Sequence, residues 1–94
     1  MEDLEIFEQR GVIQILLVLA AGDITKELML TGLLKKLKVS QKAAYAALEV
    51  LMNKGLVGER RVETPFNLRF LRITDKGLRV AEKLHEIRKE LADE

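Results

Sequence analysis

The sequence has no cysteine, so disulfide frameworks and thiolate metal centres are excluded, and a reducing intracellular setting is the simplest expectation. Tryptophan is also absent, and His85 is the single histidine. A metal site would have to be built from carboxylates alone, so no metal or other cofactor is expected. There is no glycine-rich phosphate loop and no nucleophile with a plausible base, which argues against an enzyme. The longest apolar run, VIQILLVLAA from Val12 to Ala21, carries Gln14 and falls well short of the roughly 20 residues of a membrane span. It also lacks the basic start and cleavage site of a signal peptide, so a soluble, cytoplasmic protein with no membrane partner is expected.

What is present fits one small folded unit. At 94 residues and 48% hydrophobic content the chain can bury one modest core, so a single domain over residues 1–94 is expected. The net charge of +1 conceals a strong asymmetry. Residues 1–34 sum to −4 and residues 80–94 to −2, whereas Lys35 to Arg79 holds eleven basic side chains against four acidic ones, a local +7. The expected partner of such a basic segment is a polyanion, although a solvated surface would have the same composition.

Periodicity divides the chain into helix, helix, helix, hairpin and helix, a mainly α fold with a small β-hairpin. The first helix is expected from about Asp3 to Ala20, ending at Gly22 in a left-handed position. It is apolar nearly all round and needs cover on more than one side. DITKELM alternates weakly and fits a short extended segment or an early helical turn. LTGLLKKLK sets Leu30, Leu33, Leu34 and Leu37 against Lys35, Lys36 and Lys38, the pattern of a short amphipathic helix.

Ser40 is a good N-cap for the next helix, in which Ala44, Ala47, Leu48 and Leu51 recur at helical spacing and should face the core. Gly55 closes it, with Leu56 folding back onto Leu51. VGERRVET and LRFLRIT read as two strands joined through Pro65 to Asn67, with Thr74 capping a last helix from about Asp75 to Leu91.

LLKKLKVSQKAAYAALEVLMNKGLV, followed by an Arg-bearing hairpin and LRITDKG, resembles the winged helix-turn-helix domain. It is most similar to MarR and PadR-like transcriptional regulators and to small winged-helix proteins of archaea and their viruses. The likeness runs from roughly Leu28 to Val80, strongest in NKGLV and RITDKG. It implies a helix-turn-helix over about residues 30–54, a wing over about 57–73, and a C-terminal dimerisation helix over about 75–91. It further implies double-stranded DNA as the partner, the helix Gln41 to Asn53 as the recognition helix, and a role in transcription regulation.

Carried onto matching positions, the resemblance nominates Lys35, Lys36, Lys38, Ser40, Gln41, Lys42, Ala43, Tyr45, Ala46, Arg60, Arg61, Arg69 and Arg72 as DNA-binding residues. Their chemistry suits that task. Glutamine can bond adenine twice, lysine can reach guanine or phosphate, and an alanine methyl can rest on a thymine methyl. Glu49 opposes a phosphate surface unless it meets a cytosine amino group. Tyr45 falls between the core stripe and the outer face, so its ring can cover the core edge or its hydroxyl can meet DNA. Strand alternation places Arg60 and Arg61 on opposite faces, and likewise Arg69 and Arg72, with Leu71 and Ile73 inward. At the tip, TPFN offers Phe66 either as a buried plug, the commoner fate of a phenylalanine, or as an exposed contact.

Val80, Leu84, Ile87 and Leu91 form a narrow stripe on the last helix, and with Leu4 and Phe7 they are the candidate homodimer interface. A two-fold dimer would present two recognition helices to half-sites one helical turn apart. The alternative is a winged-helix interaction module of a larger complex, burying the same helices on another protein without binding DNA. A small apolar effector between the first and last helices would extend the regulator reading, but no polar anchor identifies one.

Overall fold

The structure is a computed structural model that describes residues 2–63 and 65–92. Helix α1 (Val12–Ala21), strand β1 (Leu28–Met29), helices α2 (Leu30–Lys36) and α3 (Gln41–Asn53), strands β2 (Val57–Val62) and β3 (Leu68–Ile73) and helix α4 (Asp75–Ala92) follow a short 3-10 helix, Glu2–Glu8. The three strands form an antiparallel sheet in the order β1-β3-β2. This is the winged-helix arrangement expected from the sequence.

The core lies where α1, α3 and the inner face of the sheet meet. Val12, Ile15, Leu16, Leu33, Ala47, Leu48, Leu51 and Leu71 are fully buried within it. Burial of each large side chain is worth about 1.5–3 kcal/mol. Ala44, Ala47, Leu48 and Leu51 form the inward stripe of α3 as their spacing requires.

Both ends of α3 follow the local chemistry of the sequence. Ser40 Oγ accepts a hydrogen bond from the Ala43 N–H at 3.1 Å. At the far end Gly55 has φ 73°, the Leu56 N–H bonds the Leu51 carbonyl at 2.9 Å, and the Gly55 N–H bonds the Met52 carbonyl at 3.0 Å. This paired closure turns the chain directly into β2.

Three expectations need correction. The first helix is not continuous: Gly11 adopts φ 94° and breaks it between Glu8 and Val12. A Cβ there would meet the Ala47 side chain at 3.4 Å and Val39 at 3.5 Å, ordinary contact distances, so it is the positive φ and not crowding that calls for glycine. Second, Gly22 ends α1 in an extended conformation, φ −84° and ψ −165°, and not in the left-handed region. Third, Phe66 at the wing tip is 76% exposed and no plug. Its neighbour Thr64 lies outside the described residues.

DITKELM takes the extended option at its end, where Leu28 and Met29 pair with Leu71 and Phe70 as a third strand. No helix among the described residues is long and apolar enough to cross a membrane. The molecule is elongated, 51 × 26 × 23 Å, and every described residue of α4 from His85 onward is exposed.

Candidate nucleic-acid interface

Helices α2 and α3 are joined by a tight turn whose geometry is fixed from below. The Lys38 N–H donates to Gln14 Oε1 at 2.9 Å, so the lone amide in the apolar run of α1 holds the turn. The sequence offered Gln14 only as a polar interruption; its partner lies 24 residues away and could not be read from spacing.

Around this turn Lys35, Lys36, Lys38, Ser40, Gln41 and Lys42 are exposed. Lys35, Lys36, Lys38 and Lys42 have no carboxylate within salt-bridge distance among the described residues. Tyr45 and Ala46 are exposed one turn further along α3, while Ala43 is half-buried. Glu49 is exposed on the same helix.

The hairpin register separates the wing arginines into two groups. Arg61 pairs with Arg69, and Glu59 with Leu71, so all four side chains lie on the inner face beside α3. Glu59, whose side chain is only 13% exposed, accepts from Arg61 Nε at 3.0 Å and from Arg69 Nε. Burial pushes the Glu59 carboxyl up, but the hydrogen bonds from Arg69 and Arg61 outweigh it and hold the group below its ordinary value. The Arg69 guanidinium carbon also lies 5.9 Å from the centre of the Tyr45 ring, linking wing to helix. Glu59 was not singled out in the sequence, because its partner depends on strand register.

Arg60 and Arg72 belong to the opposite face. Arg60 donates bidentately to Glu27, with Nη2 at 2.8 Å and Nε at 3.0 Å, and its guanidinium sits 4.8 Å over the Phe70 ring. These hydrogen bonds hold the Glu27 carboxyl below its ordinary value and push Arg60 up. Arg72 Nη2 donates to the Thr25 carbonyl at 3.5 Å. The structure therefore brings Arg61 and Arg69 together with the helix-turn-helix and sets Arg60 and Arg72 behind the wing.

The residues nominated for dimerisation also divide. Phe7, Val80 and Leu84 are half-buried against this chain's own core. Leu4, Ile87 and Leu91 are 50%, 54% and 76% exposed.

No protein-family model matches the chain, and no curated protein matches it in sequence. Solved structures do match its fold. It is similar to a putative MarR-family transcriptional regulator from Porphyromonas gingivalis W83, with TM-score 0.80 at 18% identity over 98% of this chain and 87% of that one. The putative transcriptional regulator YtfH from Salmonella typhimurium gives TM-score 0.81 at 21% identity, over 97% of this chain and 79% of that one. A protein from Archaeoglobus fulgidus gives TM-score 0.77 at 13% identity, over 98% and 99%. The chain has the winged-helix fold found in MarR-family transcriptional regulators.

Proposed function

We propose that the protein is a homodimeric, double-stranded-DNA-binding transcriptional regulator, with the N-terminal part of α3 in the major groove and the wing on the backbone or minor groove. The observation that carries this reading is the set of four lysines, Lys35, Lys36, Lys38 and Lys42, around the turn that leads into α3, none with a carboxylate partner among the described residues. Unpaired cations on a convex helix end are what phosphate contacts require. Arg61 and Arg69 flank them, and the fold shared with known transcriptional regulators supports the same reading. Arg60 and Arg72 are left out of the proposed interface because they face the other way.

Dimerisation through the ends of the chain is supported by the exposed apolar side chains Leu4, Ile87 and Leu91. The same exposed residues favour the second reading, an interaction module that docks a different protein and does not bind DNA.

Fluorescence anisotropy of the purified protein with random duplex DNA across a salt series separates the two. About four phosphate contacts per protomer, doubled in a dimer, give a log–log slope near −7. A flat response, or no binding at low salt, overturns the regulator reading.

A further inference from the structure

Gln41 and Tyr45 lie one helical turn apart on the exposed side of α3, and the Gln41 Nε2 donates to the Tyr45 hydroxyl at 2.7 Å. The Tyr45 ring has a second neighbour in the Arg69 guanidinium, 5.9 Å from its centre. Arg69 is itself anchored, because its Nε donates to Glu59, which also binds Arg61. The result is a chain of contacts from the inner face of the wing to the first residue of α3.

We propose that Tyr45 is a positioning residue for base readout: steadied by Arg69 and bonded to Gln41, it presets the Gln41 amide to recognise one A·T pair. This rests on the DNA-binding reading above and goes beyond it by naming the base and the residues that fix the choice.

One N–H of the Gln41 amide is used by the tyrosine. The other N–H and Oε1 remain, and they match adenine N7 and the adenine amino group respectively. A free glutamine on a helix end would have to lose rotamer freedom as it bound. A glutamine already held loses less, and the difference appears as affinity for the matching base only. Tyr45→Phe removes the hydroxyl and keeps the ring, so the contact with Arg69 survives while the bond to Gln41 does not. Phosphate contacts are untouched.

The test begins by selecting a preferred duplex from a random pool with the wild-type protein. Dissociation constants are then measured on that duplex and on its single base-pair variants for wild type, Gln41→Ala, Tyr45→Phe and Glu59→Gln. Gln41→Ala should lose discrimination at one A·T pair. Tyr45→Phe should lose about two- to tenfold at that same pair, more than it loses on random duplex. Glu59→Gln, which loosens Arg69, should lose a smaller part of it. Because the protein has one tyrosine and no tryptophan, its ultraviolet emission reports on Tyr45 alone, and Glu59→Gln should change that emission without DNA present.

The proposal is overturned if Tyr45→Phe discriminates like wild type, or if it weakens binding equally on every duplex, as a phosphate contact would. Absence of binding by the wild type would overturn the regulator reading and this inference together, and is distinct from either result.

Discussion

Gly77 stands against the backbone of Leu56 so closely that a Cβ at Gly77 would lie 2.1 Å from the Leu56 carbonyl oxygen. Around this approach the start of α4 is bonded to the end of α3. Thr74 Oγ1 donates to the Gly55 carbonyl at 2.7 Å and accepts from the Gly77 N–H at 2.9 Å, while the Thr74 N–H meets the Leu56 carbonyl at 3.1 Å. Lys76 Nζ reaches the Lys54 carbonyl at 2.8 Å. NKGLV and RITDKG are thus the two halves of one junction.

That junction gives the first prediction. Gly77→Ala places a methyl group against backbone that cannot rotate away, with Ile73 Cγ1 at 2.7 Å on the other side. Overpacking against rigid backbone should cost about 3 kcal/mol. For a chain of this size the melting temperature should fall by about 12 °C or more. A fall of only a few degrees in a calorimetric scan would mean that α4 can move away from Leu56.

The junction also shows why part of the fold was legible in the sequence. The capping bonds of Ser40, Gly55 and Thr74 join backbone groups within a few residues, so cap chemistry alone places both ends of α3 and the start of α4, although the Thr74 bonds to Gly55 and Leu56 are long-range. The core stripe of α3 was legible for the same reason, being a spacing along one helix. The break at Gly11 was not, because a single left-handed residue inside an otherwise apolar helical pattern leaves the periodicity on either side unchanged. β1, only two residues long and defined by its partner β3, was legible only as one of two options. In the candidate site the lysines could be named from the resemblance, but Glu59 could not, since its hold on Arg69 spans the hairpin.

Glu59 supplies a prediction in pH. Its carboxyl titrates below the ordinary value of 4.5 in the folded protein, so the stability it contributes is complete above that value and is lost as pH falls through the lower, folded one. Glu59→Gln should therefore be less stable than wild type near neutrality, by about 1 kcal/mol or more. The difference should shrink as the pH is lowered below 4.5. Urea denaturation of both proteins at a series of pH values checks this; a gap that stays constant into the acid range would mean that the ionised carboxylate contributes nothing.

The exposed end of α4 bears on assembly. Ile87 is 54% exposed and lies beyond the half-buried Leu84, so a charge there should leave the protomer's own core intact. If α4 pairs with its copy, Ile87→Glu should shift the sedimentation profile from dimer to monomer while circular dichroism stays the same. DNA affinity should then fall at least tenfold, because the two recognition helices no longer bind together. A profile unchanged from a wild-type dimer would place the interface elsewhere.

The two faces of the wing allow an internal comparison between cations. Lys42 is exposed at the start of α3 with no carboxylate partner among the described residues, whereas Arg60 is held by Glu27 behind the hairpin. If charge anywhere in the basic segment drove binding, removing either would have the same effect. If α2, α3 and the inner wing face form the interface, the two should differ. Lys42→Ala should make the log–log salt slope about 2 units shallower, one phosphate contact in each protomer of a dimer, and should weaken binding to all duplexes alike. Arg60→Ala should leave the slope unchanged and lower only thermal stability, because its lost partners are Glu27 and the Phe70 ring. A slope made equally shallow by both variants would show that charge throughout the basic segment drives binding, with no one face of the hairpin set against DNA.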